Sequence, residues 1–203
     1  MKGETLVKDL FKKIGVMACI TILFTVFTTG WVLAKGKPHY RPGSFQRIAT
    51  FPVFLNTDVD SETVAEIVAA TRDGKLLVYT DSETENIGFV DIRNPYEPMP
   101  DGVVKVDGEP TSVAVLDRYF RKFALAAVDT SEDFVNTSGL LQVINIRTRR
   151  IVRSIELGGQ PDSIAVSPDG RYAAIAIENE RDEDLGDGRP PHSPPGFVVI
   201  VDL

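Results

Sequence analysis

Apolar and polar positions fall into short runs along this chain, and after residue 36 the runs recur in a fixed order. Three groups follow one another. Each opens on an apolar run: Ile67–Thr71, Ser112–Leu116 and Ser163–Ser167. A turn follows. In the first and third groups it is Asp-Gly (Asp73-Gly74, Asp169-Gly170), a hairpin signal because glycine accepts φ > 0 without a Cβ clash. A second run rises from the turn: Lys75–Thr80, Lys122–Asp129 and Tyr172–Glu178. After a polar loop of variable length comes a third run carrying an acid or amide near its end: Gly88–Ile92, Leu141–Ile146 and Val198–Leu203. A fourth run, Val103–Val106 or Arg150–Leu157, completes the first two groups. The runs are rich in Val, Ile, Ala and Tyr and bounded by turn residues, which predicts strands. Helical periodicity is expected only for one turn around Ser61–Glu66.

The groups are copies of one another. Gly108–Val115 (GEPTSVAV) matches Gly159–Val166 (GQPDSIAV), and Arg72–Val78 (RDGKLLV) matches Pro168–Ala174 (PDGRYAA). Four short antiparallel strands every ~40–50 residues make the pattern of a β-propeller blade. The predicted fold is therefore all-β: an incomplete β-propeller of two four-stranded blades plus three strands of a third, with repeats at about 61–107, 108–158 and 159–203 within a domain 45–203. A β-sandwich would explain the strands but not the recurring Gly-x-Pro-x-Ser. A ring takes ~4–8 blades, so the chain is expected to be the front part of a longer protein or a truncated product. On that expectation Phe45–Phe54 is the closing strand of a complete ring, and Val198–Val201 is an open edge able to pair with other proteins.

The start of the chain breaks the pattern. Met1–Lys13 is basic, and Ile14–Ala34 carries no charge. Val32-Leu33-Ala34 before Lys35 suits signal peptidase, which places a cleavage between Ala34 and Lys35. Residues 14–34 are also long enough to cross a bilayer as an uncleaved anchor helix, so a signal peptide and a membrane anchor both stand for 1–34. Either way the body is expected to be extracytoplasmic, periplasmic or secreted, with membrane contact only through 14–34. Lys35–Ser44, with two prolines and two glycines, reads as a linker.

Charge narrows the function classes. The chain has 29 acids against 22 bases, and an acidic body does not seek nucleic acid. The lone Cys19, inside the apolar segment, excludes an intrachain disulfide framework. The two histidines, His39 and His192, lie in proline-rich stretches, which argues against a His-rich metal site. Ser61, Ser112, Ser163 and Ser193 are the serines a search for a nucleophile would pick. None lies in Gly-x-Ser-x-Gly, and Ser112 and Ser163 share a repeat position, which points to structure. Catalytic residues are therefore not expected. The acidic stretch Glu178–Gly188 is the candidate metal loop. Asp182, Asp184 and Asp187 could supply oxygens to calcium, although the spacing is not that of an EF-hand and such runs are commonly just solvated. Arg189–Gly196 is proline-rich and reads as a stiff spacer or an extended partner-binding segment.

The stretch 158–172 resembles the blades of lactonase-like and YVTN-type propellers. A closer resemblance runs from Phe45 to Leu203. FQRIATFPVF (45–54), AEIVAATRDGK (65–75), LVYTDS (77–82), GFVDI (88–92), GEPTSVAV (108–115) and GGQPDSIAVSPDGRYAAIAIENERDED (158–184) resemble the N-terminal part of exported bacterial esterase-like and phytase-like proteins. In that family the propeller region precedes a phytase-like domain to which hydrolysis is attributed, and that part has no counterpart here. The resemblance implies an extracytoplasmic propeller whose partners are further blades and a phytase-like domain. It does not imply that this chain hydrolyses anything. The expected function is a non-catalytic binding or scaffold module. Two alternatives stand beside it: a calcium-dependent phosphoester hydrolase with Asp182 and Asp184 at its mouth, and a surface repeat protein that binds other proteins.

Overall fold

A computed structural model describes residues 45–118, 120–180 and 195–203. The expected signal or anchor helix, the linker, and Asp182, Asp184, Asp187, Ser193, His39 and His192 all lie outside the described residues. Met1–Gln46 forms one unit, of which only Phe45 and Gln46 are described, and Arg47–Leu203 forms the other.

Eleven strands are described in the second unit, in three antiparallel sheets. Blade 1 is β1 (Ala65–Ala70), β2 (Leu76–Asp81), β3 (Asn86–Asp91) and β4 (Met99–Lys105), hydrogen-bonded in that order. Blade 2 is β5 (Glu109–Arg118), β6 (Arg121–Asp129), β7 (Gly139–Asn145) and β8 (Arg150–Glu156), again in order. Blade 3 has β9 (Pro161–Val166), β10 (Tyr172–Ile177) and β11 (Phe197–Asp202), with β10 in the middle. The fold is all-β, an incomplete propeller with blades of four, four and three strands.

Local sequence sets the hairpins. In blades 1 and 3 a hydroxyl reaches across the turn to the aspartate: Thr71 Oγ1 donates to Asp73 Oδ1 at 2.7 Å, and Ser167 Oγ to Asp169 Oδ1 at 2.6 Å. Gly74 (φ 63) and Gly170 (φ 70) then take the left-handed position that other residues rarely adopt. All three first strands carry a register shift near their start, between Ala65 and Val68, Pro110 and Ser112, and Pro161 and Ser163. The repeat therefore preserves its irregularity along with its pattern.

Each blade has a forward face, toward the next blade in chain order, and a backward face. Strand period 2 splits the side chains between them. Val78, Ile87 and Phe89 of blade 1 meet Val113, Ala124, Ala126, Val128 and Ile144 of blade 2 in one core. Leu125, Ala127 and Leu141 of blade 2 meet Ile164, Ala173, Ile175 and Ile177 of blade 3 in a second. The first strand of each following blade sits in the face before it: β5 packs on β1 and β2, and β9 on β5 and β6. Across the second junction Thr111 Oγ1 donates to Pro161 O at 2.8 Å, and Ile164 N donates to Ser112 Oγ at 3.3 Å. The first junction also carries ions. Lys122 Nζ is 2.7 Å from Asp73 Oδ2, and Arg149 lies 3.7 Å over the Phe89 ring while its Nη2 meets Asp101 Oδ2 at 2.5 Å.

One expectation needs revision. The helical turn expected around Ser61–Glu66 is not there. Val64 N donates to Asp81 Oδ1, and Val64 O accepts Ser82 N, so this stretch is drawn into the ladder of blade 1. A 3-10 turn stands instead at Val53–Asn56, with Pro52 as its N-cap. Phe45–Phe54 makes no strand among the described residues. It leads into Asn56, whose side chain fastens the segment to blade 1. Asn56 Nδ2 donates to Tyr79 Oη (3.0 Å) and Phe89 O (2.8 Å), and its Oδ1 accepts from Asp101 N and Gly102 N, both at 3.0 Å.

Candidate functional site

The residues that could carry chemistry collect at one end of blades 2 and 3, where β5 and β9 begin and β6 and β10 end. Glu109 and Asp129 are direct cross-strand partners there. At the equivalent place in blade 3, Glu178 N donates to Gln160 O at 2.9 Å. Together with Asp162, Glu180 and Phe134 these residues line a cleft of about 600 Å³.

Packing of the loops shapes the cleft. In Thr130–Ser138, Ser138 Oγ donates to Thr130 O at 2.7 Å and Ser131 Oγ to Ser138 O at 3.1 Å, closing the loop at its neck. Asp133 Oδ1 accepts from Val135 N and Asn136 N, which turns the tip and leaves Phe134 exposed. On the other wall Asn179 sits at φ 53, a conformation Asn tolerates better than most residues. Its Oδ1 accepts Gln160 N at 3.1 Å and its Nδ2 donates to Pro195 O at 2.8 Å.

The electrostatics are one-sided. Burial raises the Glu109 carboxyl above its usual range, and Asp129, Glu66, Glu83 and Glu85 raise it further. Burial raises Glu178 as well, with Asp162 and Glu180 adding to it. Like charges gathered in one cleft, together with partial burial, favour the protonated form. Such a cleft attracts cationic groups and repels phosphate. Among the described residues no three His, Cys, Asp or Glu side chains converge to hold a metal ion.

Of the serines singled out from sequence, Ser112 is buried and its hydroxyl is the acceptor for Ile164 N, a structural role between blades. Ser163 is exposed on the forward face of blade 3, and Ser61 is half-buried in the approach to blade 1. The structure does not bring these three together. Sequence reasoning missed Asp81, which is fully buried. Its Oδ1 accepts Val64 N at 2.9 Å and Thr84 N at 3.4 Å, and its Oδ2 has no partner. Aligning the blades residue by residue would have marked it, because Asp81 stands where blades 2 and 3 place Val128 and Ile177. The acidic cleft was missed because its carboxylates come from segments far apart in sequence.

Three successive antiparallel sheets, packed forward face on backward face, define a propeller-type module with an acidic rim. The chain belongs to the Choice-of-anchor I domain family, which it matches over residues 66–203. The findings place it as a binding or scaffold module of a cell-surface or extracellular protein. Among solved structures it is similar to hydrazine synthase of Kuenenia stuttgartiensis, at 21% identity and a TM-score of 0.52 over 68% of this chain and 34% of that one. It is also similar to a luciferin-regenerating enzyme, at 15% identity and a TM-score of 0.46 over 68% of this chain and 44% of that one. The chain thus spans less than half of either. The first likeness speaks for the fold alone, and the second carries no argument. No curated protein matches the sequence. Among the described residues no helix is long and apolar enough to cross a membrane.

Proposed function

We propose that this chain is the propeller portion of an exported esterase-like or phytase-like protein and serves there as a non-catalytic binding or scaffold module. Its body lies in the periplasm or outside the cell, and residues 1–34 direct it there. Its partners are further blades and a phytase-like domain. The observation that carries the reading is the use made of the repeat positions. Leu125, Ala127, Leu141, Ile175 and the hydroxyl of Ser112 all serve to stack one blade on the next. Family membership over 66–203 supports the same reading.

Expression in a bacterial host with fractionation tests the export half. N-terminal sequencing of the exported protein is expected to begin at Lys35. Recovery of intact chain from the cytoplasm would overturn export, and recovery from the membrane would replace the signal by an anchor. Incubation with phytate and with aryl esters, each with and without millimolar calcium, tests the other half. No turnover above buffer is expected. Turnover that disappears in the Asp182→Asn/Asp184→Asn variant would instead make the propeller a hydrolase.

A further inference from the structure

One hairpin departs from the repeat. Lys75, Lys122 and Arg171 are equivalent positions, since the carbonyl of each accepts an amide from just past the third strand or its end: Ile92 N (2.9 Å), Ile146 N (3.1 Å) and Leu203 N (2.8 Å). In blades 1 and 3 the turn before that position is Arg72-Asp73-Gly74 or Pro168-Asp169-Gly170. In blade 2 the ladder runs on instead, pairing Asp117 with Lys122 and Arg118 with Arg121. The turn left at the tip is Tyr119-Phe120 by sequence, and of the two only Phe120 is among the described residues. Neither residue type is a turn former, whereas the Asp-Gly of the other blades is. The Phe120 side chain is fully exposed. A repeat that gives up its turn chemistry in one blade, and sets an aromatic ring in water there, points to use rather than packing.

The two ends of the sheets also differ in charge. At the hairpin's end lie the connections β1–β2, β3–β4, β5–β6, β7–β8 and β9–β10. With their flanking strand residues they hold nine Lys or Arg against four Asp or Glu. The connections at the opposite end hold eleven Asp or Glu and, among the described residues, Lys105 as their one base. At the hairpin's end Arg93, Lys122 and Arg149 are held by Asp91, Asp73 and Asp101, and Arg118 Nη1 reaches Leu203 O at 3.4 Å. Arg72, Lys75, Arg121 and Arg147 are exposed. Arg72 N donates to Asp117 Oδ2 at 3.3 Å and Ile146 N to Lys122 O, which seats the neighbouring turns against the hairpin. A six-residue strand sets the two ends roughly 20 Å apart, well beyond the Debye length of ~8 Å at physiological salt. A surface that meets the hairpin therefore feels the bases, while the acids at the far end are screened.

We propose that the β5–β6 hairpin docks this propeller on an anionic lipid surface. Phe120 enters the boundary between headgroups and acyl chains, and Arg72, Lys75, Arg121 and Arg147 meet the lipid phosphates. An aromatic ring with arginine beside it suits that boundary, where the ring leaves water and the guanidinium stays in it. A soluble polyanion would engage the bases and leave the ring in water, so it is Phe120 that favours lipid. The apolar run 14–34, long enough to cross a bilayer, would hold the same chain beside one. The acidic end, with its cleft, then faces away from the membrane. The docking goes beyond the scaffold reading and does not depend on whether residues 1–34 are cut away.

The test uses the full chain with Cys19→Ser as background and an environment-sensitive dye on Phe120→Cys. It is mixed with vesicles of phosphatidylcholine, with or without phosphatidylglycerol. The dye is expected to shift to the blue and to be quenched by a bilayer-embedded quencher only where phosphatidylglycerol is present, and less so as salt rises. The same dye on Phe134→Cys, at the acidic end, is expected to stay in water. Arg121→Gln/Arg147→Gln is expected to weaken the lipid dependence roughly tenfold or more, and an unchanged thermal melt shows that these exposed changes keep the fold. A dye at 120 that stays in water on anionic vesicles, an equal response from the dye at 134, or indifference to the two arginines would each overturn the proposal. Heparin that shields the dye at 120 as well as the vesicles do would also overturn it, in favour of a soluble polyanion.

Discussion

Blades 2 and 3 present the same repeat positions forward, and the two faces meet opposite fates. Leu141 of blade 2 is fully buried beneath blade 3, whereas Val198, at the same position of blade 3, is more than three-fifths exposed. The side chains are of similar kind, so the difference lies in the neighbour and not in the residue. A blade is thus apolar on both sides by construction and gains its stability from what it is stacked on. The outer edges differ too. β4 carries Pro100, Asp101 and Lys105, and β8 carries Arg150, Arg153 and Glu156, which discourage strand addition. β11 has no charge from Phe197 to Val201. Among the described residues blade 3 is uncovered in both face and edge.

The comparison can be broken by truncation. Leu141→Ala removes a fully buried side chain between two blades and is expected to lower the unfolding free energy by about 2–5 kcal/mol. Val198→Ala, at the matching position of blade 3, is expected to change it by less than ~0.5 kcal/mol. Chemical denaturation of both variants checks this, and equal losses would show that blade 3 is covered within one chain. A smaller effect concerns the first junction. The Lys122 ammonium, with Thr71 Oγ1 beside it, holds the Asp73 carboxyl at about 2, below the ordinary aspartate value of 3.8. A carboxyl held low in the folded state contributes stability above its unfolded pKa, and that contribution is lost as pH falls toward 2. The pair is exposed, so the effect is small. In Lys122→Met the Asp73 carboxyl is expected to titrate closer to 3.8 by carbon-detected NMR, and the melting temperature to depend less on pH between about 4 and 2.

Most of the fold was legible because strand period and turn chemistry are local. Asp73-Gly74 and Asp169-Gly170 each announced a hairpin. The matched GEPTSVAV and GQPDSIAV runs located β5 and β9 within three residues. The stretch around Ser61–Glu66 misled because its fate is decided at a distance, by Asp81 Oδ1 on Val64 N. Asn56 was invisible for the same reason: its four partners lie 23 to 46 residues away. The acidic run drew attention to Asp182, Asp184 and Asp187, whereas the described cleft takes only Glu178 and Glu180 from that region and gathers Glu109, Asp129 and Asp162 from elsewhere. Composition shows where acids are dense in sequence, and only the stacking of blades shows where they are dense in space.

The central claim is that one repeat position is core in blade 2 and uncovered in blade 3. Hydrogen exchange of the chain tests it most directly. The amides of Leu141–Ile144 are expected to exchange slowly. Those of Val198–Val201, at the matching positions of blade 3, are expected to exchange faster. Equal protection of the two strands would contradict the account.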